Sequence, residues 1–123
     1  MHKSRLACLV VDGQDDVNEA AYFWSRALGC EIAETDGRYT RLETPDDQPQ
    51  ILIQRVNHPS RVHLDIETDD IEAEEARLQA LGARMIERRD AWVVMQAPTG
   101  HRFCIVNPQR ADFASAPGVN VWR

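Results

Sequence analysis

Basic residues, cysteines and long apolar runs are all scarce in this chain, and each shortage excludes something. Lys and Arg number 14 against 20 Asp and Glu, a net charge of −6. That balance argues against nucleic-acid binding, which needs a basic face. No apolar run approaches the ~18–20 residues that span a bilayer. The start, Met1-His2-Lys3-Ser4-Arg5, has no signal-peptide core behind it, because Asp12 closes the first apolar run; the expected location is the cytoplasm. Cys8, Cys30 and Cys104 are an odd number without C-x-x-C spacing, so no disulfide framework is expected. They read as reduced thiols, either buried or lining a site.

What the chain does have is a repeat. Residues 15–29 (Asp-Asp-Val-Asn-Glu-Ala-Ala-Tyr-Phe-Trp-Ser-Arg-Ala-Leu-Gly) are echoed by residues 69–82 (Asp-Asp-Ile-Glu-Ala-Glu-Glu-Ala-Arg-Leu-Gln-Ala-Leu-Gly). Each copy follows a short apolar strand, Leu6–Val11 or Val62–Ile66. At 123 residues the chain reads as one domain, 1–123, long enough for a core without staples. The expected fold class is α+β: two tandem βαβββ units, about 5–57 and about 61–107, forming a curved mixed sheet around a concave cleft, with a tail over 108–123.

The local signals fill in each unit. Asp15 or Asp16 caps a helix whose apolar positions are Ala20, Phe23, Trp24, Ala27 and Leu28, and Gly29 ends it. Cys30–Thr35 and Arg38–Glu43 form a hairpin about Asp36-Gly37, followed by a strand over Gln50–Val56. In the second unit Arg61–Glu67 is a strand, and Asp69 or Asp70 caps a helix with Ile71, Ala76, Leu78 and Leu81 inward. Glu72–Arg77 reads as a solvated face of that helix. Strands follow at Ala83–Glu87, Ala91–Gln96 and Arg102–Val106. Phe113 and Trp122 suggest that the tail packs somewhere.

These residues together resemble the vicinal oxygen chelate superfamily, which groups glyoxalase I, bleomycin-resistance proteins and extradiol dioxygenases. The resemblance is carried by Val11-Asp12-Gly13-Gln14-Asp15 leading to Ala27-Leu28-Gly29, by Arg61-Val62-His63-Leu64-Asp65-Ile66, and by Ala97-Pro98-Thr99-Gly100-His101-Arg102-Phe103-Cys104. It is nearest the glyoxalase-like branch and spans residues 6–107. It implies a glyoxalase-like fold and four metal-ligand positions, typically His and Glu. In this chain those positions fall on Cys8 (or Val10), near Ile53, on His63 and on Cys104. One of the four matches, so no metal or other cofactor is favoured. A Cys8, His63, Cys104 site for a divalent metal, zinc being best suited, is kept as an alternative.

Strand alternation sorts the remaining side chains. Val62, Leu64, Ile66, Phe103, Ile105 and Leu42 are expected in the core. His63, Asp65 and Glu67 are then the catalytic candidates, with His63 as a base near neutral pH. Tyr39, Arg41, Trp92 and Arg102, with Cys8, Ile53 and Cys104, are the ligand-binding candidates. The two arginines suit a carboxylate or phosphate, or pair with neighbouring acids. Asp12 reads as a turn residue beside Gly13, and His58 and His101 as surface residues of turns. The expected function is binding of a small polar or aromatic molecule by a homodimer that covers its open strand edges. A lyase- or isomerase-type enzyme and a dimeric scaffold without ligand are the rivals.

Overall fold

The computed structural model describes all 123 residues. In chain order the elements are β1 (His2–Gly13), α1 (Val17–Leu28), β2 (Ile32–Asp36), β3 (Tyr39–Leu42), β4 (Gln50–Arg55), β5 (Arg61–Thr68), α2 (Ile71–Ala80), β6 (Arg84–Arg88), β7 (Trp92–Gln96), β8 (Arg102–Val106) and β9 (Asn120–Trp122). The fold is mixed α+β, and the βαβββ plan appears twice as the repeat predicts. The chain packs as two compact units, one formed by Cys8–His63 and the other by Met1–Ala7 with Leu64–Arg123.

The two units have the same internal topology. In the Cys8–His63 unit the strands run in the order β2-β3-β4-β1. Residues Cys8 to Gly13 of β1 lie parallel to Gln50 to Arg55 of β4, and β3 is antiparallel to both β2 and β4. In the other unit the order is β5-β8-β7-β6, with β5 parallel to β8 and antiparallel pairs beyond. Even the irregularity repeats: the first hairpin of each unit slips register, between Ile32 and Glu34 and between Met85 and Glu87.

Each helix starts and stops by local chemistry. Of the two aspartates at each helix start, Asp16 and Asp70 are the caps. The Asp16 carboxylate accepts the N–H groups of Asn18 (2.7 Å) and Glu19 (3.3 Å), and that of Asp70 accepts the Ala73 N–H at 3.0 Å. Gly29 closes α1 in the left-handed conformation at φ 69°.

The buried faces of both helices are rotated from the expected ones. On α1, Val17, Ala20, Ala21 and Trp24 pack with Leu42, Ile53, Val11 and Ile51, whereas Phe23 and Leu28 are 59% and 49% exposed. On α2, Ile71, Glu74, Glu75 and Leu78 form the inward stripe, at the same i, i+3, i+4, i+7 spacing, and Ala76 and Leu81 face solvent. The expectation that Glu72–Arg77 is a solvated face is therefore corrected for Glu74 and Glu75. Both carboxylates are buried because partners reach them. His2 Nε2–H donates to Glu74 Oε1 at 2.8 Å, Arg77 binds both Glu74 oxygens at 2.8 Å, and Arg88 meets Glu75 at 2.8 Å. Burial alone raises the Glu74 carboxyl, but the hydrogen bonds from Arg77, His2 and Ser4 outweigh it and hold Glu74 below its ordinary value.

Two more expectations fail for geometric reasons. Val62 and Leu64 were assigned to the core but are 57% and 43% exposed. The β8 register meets β5 only from Leu64 to Glu67, so Val62 runs past the covered stretch, and Ile66 alone of the three joins the α2 core. The tail is more ordered than its lack of periodicity implies. Its strand β9 pairs antiparallel with His2–Ser4, Trp122 Nε1–H donates to Ser4 Oγ at 2.8 Å, and the Arg77 guanidinium stacks 3.9 Å from the Trp122 ring centre. Phe113 is 5% exposed beneath Arg5. The tail aromatics are thus consumed within their own unit rather than offered to a partner.

Candidate functional site

The residue that matters most in the Cys8–His63 unit is Asp12, which the sequence presents as a turn aspartate. It ends the apolar part of β1 on the same side as Val10 and Cys8, and it is 2% exposed. Its Oδ2 accepts a hydrogen bond from His63 Nδ1 at 2.6 Å. A carboxylate only accepts, so the ring proton sits on Nδ1 and the neutral imidazole carries its lone pair on Nε2. This is the orientation that an aspartate imposes on a histidine that serves as a base or as a ligand. The other oxygen, Asp12 Oδ1, is buried and accepts no hydrogen bond. The only hint in the sequence was a carboxylate at the even position of an otherwise apolar strand.

Beside Asp12 lies a pocket of about 500 Å³ between the end of β1, the first turns of α1 and the start of β5. Phe23 and Trp24 form its apolar wall, their rings edge to face with centres 5.1 Å apart. Asp15, Asp16 and Glu19 line the helix side, and Ser60, Arg61 and Val62 the strand side. The Gln14 N–H donates to Ser60 Oγ at 3.4 Å and ties these two walls together. Sequence reasoning read Phe23 and Trp24 as core and the acids as capping groups, and so missed the pocket. The rotation of α1 is what turns Phe23 outward.

Several of the expected site residues are committed to other contacts. Ile53 is 1% exposed and packed in the α1 core. Cys8 is buried, with its thiol directed at Gln50 Oε1 (3.6 Å). Tyr39 is half-buried at the start of β3, opposite Gln54, and Arg41 Nε lies 3.5 Å from Glu34. In the other unit Arg102 Nε donates to Gln96 at 3.0 Å, and Trp92 is 41% exposed at the start of β7. Asp65 and Cys104 are register partners on β5 and β8, with donor atoms within 4.8 Å of one another. Glu67 is fully buried and spent on structure: Oε2 takes the Arg5 Nε–H at 2.6 Å, and Oε1 takes the backbone N–H groups of Gln109 (2.6 Å) and Arg110 (3.0 Å).

The profile of the glyoxalase-like domain matches residues 8–106. The chain belongs to the glyoxalase-like domain family. No curated protein sequence matches it significantly. Among solved structures it is similar to an NAD-dependent benzaldehyde dehydrogenase from Legionella pneumophila (TM-score 0.66, 10% identity, 83% of this chain and 98% of that one). It is also similar to a hypothetical protein from Bacillus halodurans C-125 (0.63, 12%, 87% and 96%). A third similar structure is the homoprotocatechuate 2,3-dioxygenase of Arthrobacter globiformis (0.64, 17%, 86% and 36%). The chain thus spans about a third of the dioxygenase, and identities this low speak for the fold alone. Together with the family match, these neighbours place this glyoxalase-like domain in the vicinal oxygen chelate superfamily.

Ahead of His63, the metal positions that the superfamily implies carry no imidazole and no carboxylate in this chain. Ile53 has no donor atom and is locked in the core, Val10 has none, and Cys8 is turned onto Gln50.

Proposed function

We propose that this glyoxalase-like protein binds a small polar-aromatic molecule in the pocket at the head of α1 and works without the superfamily's usual metal site. The observation that carries this reading is the pocket itself. It has an aromatic wall, Phe23 and Trp24, and a polar rim, a make-up that suits a small molecule. The lack of donors at Ile53 and Val10 supports the absence of the usual metal. The protein acts in the cytoplasm as a homodimer in this reading, with the open edge of β2, exposed along its whole length, as one surface to be covered. Tyr39, Trp92 and Cys104 are further candidates for ligand contacts.

A screen of fragments by ¹⁵N–¹H NMR tests it. Ligands are expected to shift the Trp24 indole signal saturably, and Phe23→Ala to weaken them. Hits that never touch Trp24, or none at all, would overturn the pocket as the site. Elemental analysis of protein purified without chelators or a polyhistidine tag is the companion test. One equivalent of zinc lost on His63→Ala would overturn the metal-free reading.

A second reading has its own support in the 2.6 Å His63–Asp12 bond. In it a substrate bound against His63, outside the α1 pocket, gives a proton to Nε2, the imidazolium that forms is stabilised by Asp12, and the proton is returned to another atom of the product or to the leaving group. The net change is an isomerisation or an elimination. Turnover lost in His63→Gln and reduced in Asp12→Asn, with binding retained, would support it; full turnover in His63→Gln would exclude it.

A further inference from the structure

We propose that the sheet face turned away from α2 binds an organic acid, its oxyanion head held by Arg84, Gln96 and Arg102 and its apolar body laid along β7 towards Trp92. None of these residues lines the pocket at the head of α1. Val93 and Met95 of β7 and Ile105 of β8 pack with Leu78 of α2. Their alternating neighbours, Trp92, Val94 and Gln96 on β7 and Arg102, Cys104 and Val106 on β8, therefore occupy the opposite face. There the register sets Arg84, Gln96 and Arg102 in one row across β6, β7 and β8. One side of the row is already joined, because Arg102 Nε–H donates to Gln96 Oε1 at 3.0 Å. With its oxygen taken, the Gln96 carboxamide keeps its N–H₂ group to offer. Strands β6 and β8 lie about 10 Å apart across β7, a gap that two arginine side chains close over a single carboxylate or phosphate.

Charge pairing singles this row out. Elsewhere in the same unit Arg5, Arg77, Arg88 and Arg89 each meet a carboxylate within 3.1 Å. Arg84 and Arg102 are exposed and belong to no ion pair, in a chain with 20 acidic residues to 14 basic ones. The turns that flank this end of the sheet, 80–83 and 97–101, contain no Asp or Glu. The carboxylates on the face sit one row further in. Glu87, opposite Val94, is paired with Arg89, and Asp65, opposite Cys104, is 9% exposed. Two guanidiniums that flank one amide repel each other until an oxyanion lies between them. Beyond the row the floor is apolar: Val94, Cys104 and Val106 are half-buried, and Trp92 at the far end is 41% exposed. Donors converging at one end of an apolar strip, with an open indole at the other, suit an acid with an aryl or alkyl body.

The test titrates ω-phenylhexanoate, the matching alcohol and the matching ammonium compound into the full chain, with the Gln96 side-chain amide and the Trp92 indole as ¹⁵N–¹H NMR reporters. The acid is expected to shift both signals saturably and to bind about tenfold more tightly than the alcohol, with the ammonium compound weaker still. Its affinity should fall a few-fold between low and physiological salt as the guanidiniums are screened. Arg84→Gln and Arg102→Gln should each weaken the acid about two- to fivefold, and together should make acid and alcohol bind alike. Both positions are exposed, and an unchanged affinity for the alcohol shows that the variants are folded. Trp92→Ala should weaken acid and alcohol together. Equal binding of acid and alcohol by the wild type would overturn the charged row. A preference for the acid that survives in the double variant would overturn it as the seat of the head. Shifts confined to the Trp24 indole would overturn the site in favour of the α1 pocket, and silence at Gln96 and Trp92 with millimolar acid would overturn it outright.

Discussion

Glu67 separates a chemical role from a structural one most sharply, because pattern alone makes it a cleft carboxylate and the coordinates make it a clamp. It is fully buried, and its two oxygens hold Arg5 and the start of the C-terminal segment. Glu67→Gln preserves shape and one acceptor but turns an amide N–H₂ towards either Arg5 or the Gln109 and Arg110 amides. Breaking a buried charge pair costs about 3–5 kcal/mol. Arg5 retains Asp112 at 2.6 Å, which moves the expectation to the lower end, about 3 kcal/mol. For a chain of this size that is a fall in melting temperature of roughly 10 °C. Urea unfolding should show a lower midpoint at unchanged m-value. Hydrogen exchange should speed up first at the amides of Gln109 and Arg110. A variant within about 0.5 kcal/mol of wild type, with those amides still protected, would refute the clamp. Loss of ligand-linked chemistry in such a variant would restore Glu67 to the catalytic candidates.

Other expectations follow from the same contacts. Glu74 has its carboxyl held below its ordinary value of 4.5, so its contribution is complete above that pH and is lost as pH falls through the lower folded value; Glu74→Gln should flatten the acid limb of a stability–pH profile and cost about 3 kcal/mol at neutral pH. Gly82 sits at φ 104°, and a Cβ there would meet Pro98 Cγ at 3.1 Å, so Gly82→Ala should destabilise by about 1–2 kcal/mol in denaturant titration. Asp16→Ala should cost about 1 kcal/mol through loss of the α1 cap, whereas Asp15→Ala should leave stability within about 0.5 kcal/mol.

The order of elements was legible along the chain because it depends on short-range signals. The Asp-Asp starts, the Gly29 stop and the Asp36-Gly37 hairpin are local chemistry, and the recurrence of the Asp-Asp start and the Ala-Leu-Gly end announced two βαβββ units. Leu42, Phe103 and Ile105 were assignable to the core because strand alternation is a period-two rule that survives in either unit. The phase of the helices was not legible. On α1 the run Ala20, Phe23, Trp24, Ala27, Leu28 offers an apolar stripe as wide as the true one, and only packing against Leu42 and Ile53 selects Val17, Ala21 and Trp24. On α2 the inward positions 74 and 75 are glutamates. No apolar pattern reveals a buried carboxylate whose partners, His2 and Arg88, lie 72 and 13 residues away.

The site divides in the same way. His63 stood out because an imidazole between Val62 and Leu64 is conspicuous in one dimension. Its partner Asp12 did not, since their separation of 51 positions is closed only when both strands are in place. The rotation of α1 then brings Phe23 to the rim of a pocket beside the end of β1, and long-range pairing spends Glu67 on the tail. The sequence by itself determined which elements form, in what order, and that they form twice, because caps, turns and strand alternation act between near neighbours. Tertiary structure alone decided which helix face is buried, which carboxylates are clamps and which remain at a pocket, because those outcomes depend on contacts between residues far apart in the chain.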